Sequence, residues 1–221
     1  GCGGERGAFS SADPARLDPI ARRYVVLALA LGHHDSNFVD AYYGPDSLKA
    51  AADAYGWDSR PSPRPRGTGN VLTGRGLAYT FRNQTIVAQI AEVEVNRQTG
   101  RVWVKRLVCA HDCGLMVNPD AVRAQVEGNL LQTLSRTLYE ETTFDRSRVT
   151  SVDWASYRLL RFPAVPRLEI ELVDRPELPP LGAGEAASSP VPAALANAVF
   201  DATGVRLRSV PFAAAKLKAQ L

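Results

Sequence analysis

Ala91-Glu92-Val93-Glu94-Val95-Asn96-Arg97-Gln98-Thr99-Gly100-Arg101-Val102-Trp103-Val104 is the stretch that sets the fold class. Apolar residues alternate with acidic ones from 91 to 95 and the alternation returns from 101 to 104, the period of two that places successive side chains on opposite faces of a strand. Between the two runs, Asn96 to Gly100 has the polar residues and closing glycine of a tight turn. The pattern predicts a β-hairpin with one face on a core and the other in water. Upstream, Val71 to Phe81 and Thr85 to Val95 are rich in β-formers and flank a turn at Arg82-Asn83-Gln84, which extends the hairpin into a meander between 71 and 112.

Downstream the period changes to that of a helix. Asn118-Pro119 reads as N-cap and first helical residue, and Val122, Val126, Leu130, Leu134 and Leu138 form an i, i+4 core stripe. Gln125, Gly128 and Gln132 fall on another face, where a glycine admits a second backbone or a ligand. Leu168 to Val173 alternates again as a strand, closed by the prolines at 176, 179 and 180. Ser188 or Ser189 is placed to cap a last helix from Pro190 to Ala202, stopped by Gly204. At the other end, Asp13-Pro14 opens a helix carrying Ile20, Tyr24, Leu27 and Leu31, and a second helix is predicted from Asp46 to Ala54. The fold class is therefore α+β: mixed or antiparallel sheets with packed helices, preceded by a short helical N-terminal segment. Three parts are expected, namely a helical segment 1–55 of unclear origin, a linker 56–70 rich in glycine, proline and arginine, and a domain 71–221.

With 221 residues and 45% apolar content, the chain is long enough to bury a sizeable core. Its formal charge of +3, from 26 basic and 23 acidic side chains, is too small and scattered to argue for nucleic acid. The one basic cluster, Arg60, Arg64 and Arg66 among prolines, reads as a solvated linker. Cys2, Cys109 and Cys113 are too few for a disulfide framework or a closed zinc site, and the last two read as half-buried thiols at a strand end. His33-His34-Asp35 reads as a helix end rather than a metal site, so no metal ligand is assigned among the side chains. No run reaches the roughly 18–20 apolar residues of a membrane span. Cys2 among glycines carries a weak lipoprotein-like hint, which leaves cytoplasm and periplasm both open.

Leu181-Gly182-Ala183-Gly184-Glu185-Ala186-Ala187-Ser188-Ser189-Pro190 is a glycine-rich loop between strand and helix with a single carboxylate in it. Glycines at 182 and 184 leave space on both sides of Glu185, so that its carboxylate either caps the following helix or reaches a bulky ligand.

Three separated segments together resemble the molybdenum-binding subunit of xanthine dehydrogenase / aldehyde oxidase-type hydroxylases, in its isoquinoline 1-oxidoreductase-like branch. They are Asp112 to Pro119, Gln125 to Gln132 and Gly182 to Glu185, in the order and at the approximate spacing of that family; Gly74-Arg75-Gly76 and Asn197 to Arg206 add to the resemblance, which covers Gly67 to Leu221. It implies that Glu185 lies beside molybdenum as the general base, taking a proton from the oxygen nucleophile that attacks an electron-poor carbon. It also implies that Gln125 contacts the pterin and that Gly128, Gly182 and Gly184 line the cofactor. The implied cofactor is molybdopterin, in its plain or dinucleotide form; iron–sulfur clusters are expected only on a partner subunit, and the substrate is a small molecule, an aldehyde or N-heterocycle. Two departures qualify the likeness. Ala186 stands where a proline commonly follows the glutamate, which is expected to loosen the loop, and the family's long preceding domains, which complete the pterin site and substrate funnel, have no counterpart here. Residues 1–55 do not resemble that region. The alternative reading is a non-catalytic relic, truncated or fused, that serves as a scaffold or binding module.

Overall fold

A computed structural model of the chain describes residues 46–221 apart from 59 and 66. The helix expected from Asp13, the His33-His34-Asp35 cluster and Cys2 lie outside the described residues. Val71–Arg82 (β1), Thr85–Asn96 (β2) and Val102–Asp112 (β3) form the expected antiparallel meander. Arg167–Val173 (β4) joins the free edge of β3 in parallel, giving a mixed four-stranded sheet in the order β1-β2-β3-β4. The β1–β2 connection is a two-residue turn at Asn83 and Gln84, with φ of 48° and 71°, the left-handed pair that matches the twist of a hairpin.

Asp46–Tyr55 (α1), Pro119–Leu138 (α2), Val191–Thr203 (α3) and Ala214–Lys218 (α4) complete the fold. The sheet lies between helices. On one face α1 seals Ala88, Ile90, Val108 and Ala110 with Ala51. On the other face Val87, Ala91, Leu107 and Cys109 pack with Val126, Leu130 and Leu134 of α2 and with Leu195 and Val199 of α3. Each fully buried leucine of α2 contributes roughly 1.5–3 kcal/mol, so the i, i+4 stripe does the work the sequence assigned to it. The water-facing side of β2 is smaller than its alternation suggests. Glu92 and Glu94 are half-exposed, but Ala88 and Ile90, on the same side of the strand, are fully buried because α1 covers them.

Gly74 and Gly76 explain how α3 lies directly on β1. A methyl group on either would overlap the backbone of Ala198, so only glycine permits this approach. The N-terminus of α3 differs from expectation. Pro190 holds the cap position without a side-chain hydrogen bond, because Ala186–Ser188 forms a 3-10 turn ahead of it and the Ser188 hydroxyl is engaged elsewhere. Gly204 ends the helix in the left-handed conformation, φ 74°. The arginine-proline stretch is fastened, not merely solvated: Arg60 pairs with buried Asp201, the Arg64 amide donates to the Asp201 carbonyl at 2.9 Å, and the Arg64 guanidinium donates to Thr73 at 2.8 Å. A carboxylate as enclosed as Asp201 requires such a counter-charge.

Candidate functional site

The chain leaves β4, turns at Pro176 to Leu178, where the Leu178 amide donates to the Arg175 carbonyl at 3.0 Å, and the glycine-rich loop then runs past the start of β2 to α2. Asn118 fixes the origin of α2 by accepting from the Ala121 amide at 3.0 Å, with Pro119 as first residue. Four polar contacts then tie the loop down. The Leu181 amide donates to the Cys113 carbonyl at 2.9 Å, and the Thr85 hydroxyl donates to the Gly182 carbonyl at 2.9 Å. The Asn129 amide donates to the Gly184 carbonyl at 3.0 Å, and the Gln89 amide donates to the Ala187 carbonyl at 2.6 Å. The loosening expected from Ala186 is therefore countered: anchors from β2, the segment after β3 and α2 hold the loop by its backbone, and Ala186 itself is buried beneath it.

Between the first turns of α2 and the loop lies an open depression of about 220 Å³. Gln125, Asn118 and Val122 form one wall and Leu181 and Ala183 the other, with Cys113 and Met116 also contributing. Three of the glycines singled out in the sequence border open space, since a methyl group added at Gly128, Gly182 or Gly184 would meet nothing within 4 Å. The amide N–H groups of Gly182, Ala183 and Gly184 have no acceptor among the described residues. The depression itself is lined mainly by apolar side chains, with Gln125 and Asn118 as its polar ones.

Glu185 follows Ala183, the last loop residue that lines the depression, by two positions. Its side chain is 68% exposed and pairs with Arg82 at the end of β1; it does not line the depression. The structure thus brings Gln125 together with the loop that carries Gly182, Gly184 and Glu185, while the carboxylate is turned toward Arg82. Gln89, Thr85, Asn129 and Arg82 are the participants that sequence reasoning missed. Gln89 did carry a signal, an amide within the apolar run Ile86-Val87-Ala88-Gln89-Ile90. Asn129 carried a fainter one beside Gly128.

Behind the site, His111 is fully buried and neither ring nitrogen has a hydrogen-bond partner. Burial pushes its pKa down to about 4, against an opposing pull from the adjacent Asp112. Asp112 pairs with Arg175 at 2.7 Å. Both Cys109 and Cys113 are buried free thiols, more enclosed than the half-buried pair expected from the sequence. Burial pushes the Cys109 thiol up to about 12, which makes it a poor nucleophile.

Residues 25–166 match the molybdopterin cofactor-binding domain family. The chain belongs to that family. The match begins at residue 25, inside the segment 1–55 that the sequence alone had not tied to the family, and it takes in α1. The chain is 43% identical over 187 residues to one of the subunits of nicotinate dehydrogenase from Pseudomonas putida, covering 80% of this chain and 16% of that protein. It is 32% identical over 168 residues to the beta subunit of isoquinoline 1-oxidoreductase from Brevundimonas diminuta, covering 76% of this chain and 21% of that protein. Among solved structures, quinoline 2-oxidoreductase from Pseudomonas putida 86 superposes with a TM-score of 0.56 at 28% identity, over 60% of this chain and 18% of that one. The chain therefore spans about a fifth or less of the length of these relatives, and corresponds to part of the large, molybdopterin-binding subunit of a molybdenum hydroxylase of the xanthine dehydrogenase / aldehyde oxidase type. Among the described residues no helix is long and apolar enough to cross a membrane.

Proposed function

We propose that this molybdopterin-binding domain supplies one wall of a hydroxylase active site, with Glu185 as the general base and Gln125 as a pterin contact. The observation that carries the reading is the meeting of α2 and the glycine loop at one depression, with Gln125 and Ala183 on its walls and Glu185 two residues further along the loop. The residues present fit the cofactor. Gln125 offers both a donor and an acceptor to the edge of a heterocycle, the amides of Gly182, Ala183 and Gly184 are left to donate, and Gly128, Gly182 and Gly184 make room for a ring system. When bound, the molybdenum cofactor supplies the two-electron oxidising power. Glu185 takes up a proton at its carboxylate as an oxygen nucleophile adds to an electron-poor carbon of an aldehyde or N-heterocycle. To do so it leaves Arg82, an exposed partner that holds it weakly.

The same reading gives the chain two kinds of partner: the rest of a molybdenum-binding subunit, which completes the pterin site, and an iron–sulfur subunit that takes the electrons. Its support is the subunit designations that those relatives carry. Phe144, Trp154 and Phe162, exposed between α2 and β4, offer apolar area for the first of these contacts. The plain and dinucleotide forms of the cofactor both fit a site of which this chain makes one wall.

One observation favours the second reading, a non-catalytic binding module: the Glu185 carboxylate faces Arg82, not the depression. Metal and pterin analysis separates the two. The chain purified with the polypeptides encoded beside it is expected to hold molybdenum and pterin in near-stoichiometric amount. A stable complex without either removes the enzymatic reading.

A further inference from the structure

Glu185 is exposed, yet the backbone that carries it is among the most constrained in the site, and one side chain brackets it. Asn129 donates from Nδ2 to the carbonyl of Gly184, the residue before Glu185, at 3.0 Å. Its Oδ1 accepts from the hydroxyl of Ser188, three residues after Glu185, at 3.0 Å. The planar amide holds its donor and acceptor at a fixed separation, so it sets the distance between the two ends of the Gly184–Ser188 turn. Beneath the turn, fully buried Gln89 holds the Ala187 carbonyl at 2.6 Å while its own Oε1 has no hydrogen-bond partner. An apolar side chain at 89 would leave the buried Ala187 carbonyl without this donor, so the amide secures the floor of the turn.

Asn129 also has a defined relation to Gln125. The two are four residues apart on α2, one turn of a rigid helix, and α2 is anchored in the core by Val126 and Leu130. Anything seated against Gln125 is therefore placed relative to the same helix that places the Glu185 turn. Neither the open depression nor the Arg82 pair provides that link, because Arg82 lies on β1 and is itself exposed.

We propose that Asn129 is a positioning residue: by gripping Gly184 and Ser188 together it fixes where Glu185 stands relative to Gln125, with Gln89 as the floor of the turn. This rests on the reading of Glu185 as the base. Asn129→Asp is the informative change, since it retains an acceptor for Ser188 and replaces the donor to Gly184 by an oxygen that repels the carbonyl. Ser188→Ala removes the other half of the grip at a half-buried position and serves as the milder companion variant.

The test uses the protein purified from its own host with its copurifying partners, assayed with benzaldehyde and nicotinate as trial substrates and a dye as electron acceptor. Three quantities are measured on each variant: molybdenum and pterin content, kcat and KM, and amide hydrogen exchange. For Asn129→Asp we expect unchanged cofactor content, KM within about threefold, and kcat lowered on the order of 10- to 100-fold. Exchange of the Leu181 and Ser188 amides, the two in this loop that donate to a carbonyl, is expected to quicken about tenfold, with β1 to β3 unaltered. Ser188→Ala is expected to move kcat and loop exchange the same way by less. Unchanged loop exchange overturns the proposal, and so does a fall in kcat that merely follows loss of cofactor. Glu185→Gln, assayed in parallel, keeps the two claims apart. If it turns over like wild type, the base reading fails, while the exchange data still report whether Asn129 governs the turn.

Discussion

Arg60 and Asp201, 141 residues apart, meet in a two-pronged ion pair with N···O distances of 2.8 and 2.6 Å. Asp201 also accepts from the Arg75 amide at 3.0 Å. The pair joins the segment before the sheet to the helix that lies on β1.

Removing one partner leaves the other enclosed and uncompensated. Asp201→Ala is expected to lower unfolding free energy by about 3 kcal/mol, measured by urea titration at neutral pH. Burial alone would raise the Asp201 pKa, but Arg60 and the Arg75 amide outweigh it and hold it below the ordinary 3.8. A depressed acid stabilises the fold above its unfolded pKa, so this contribution persists at neutral pH and is lost only as pH falls below 3.8 through the folded value.

His111 acts in a higher pH window. Its folded pKa of about 4 lies below the ordinary 6.5, so between these values the unfolded chain binds a proton that the folded chain refuses. Stability is fully present above 6.5 and declines as pH falls toward 4, by up to ~3 kcal/mol. Urea midpoints for wild type and His111→Leu should converge at pH 7.5 and separate at pH 5, with the wild type falling faster. Parallel pH profiles would contradict this.

The approach of α3 to β1 leaves no room at Gly74 or Gly76. Gly76→Ala should destabilise the domain by ~2–3 kcal/mol, as overpacking does, with a lower melting temperature on calorimetry. The same change at Gly128, which faces open space, should leave the melting temperature of the cofactor-free protein the same or slightly raised.

The difference between these glycines shows what the sequence could and could not reveal. The meander, the α2 stripe, the Asn118 cap and the Gly204 stop are all written in neighbouring residues, where a period of 2 or 3.6 or a single cap residue suffices. The contacts that build the site are not local. Gln89 meets Ala187 across 98 residues, Asn129 meets Gly184 across 55, and no periodicity announces either pairing. Arg60 looked solvated for the same reason, because its partner is 141 residues away. Likewise, nothing in Asp46 to Tyr55 alone states that this helix covers Ile90 and Val108. Glu185, Gln125 and the glycines were legible as residue types in an ordered set of motifs; the direction of the Glu185 side chain toward Arg82 was not.

Cys109 offers a check on burial at the sheet. With its thiol pushed up to about 12 and no exposure, it should resist iodoacetamide at pH 8 in the folded protein and react once denatured. Rapid native alkylation, located by peptide mass, would show that the β3 core is not closed as described.

The central claim is that Glu185 is the base of a molybdenum hydroxylase site. Its most direct test is Glu185→Gln in the cofactor-loaded assembly, with molybdenum and pterin quantified beside turnover. We expect full cofactor content and turnover lowered on the order of 10²–10⁴-fold, the usual worth of a positioned general base. Wild-type turnover at equal cofactor content would contradict the account.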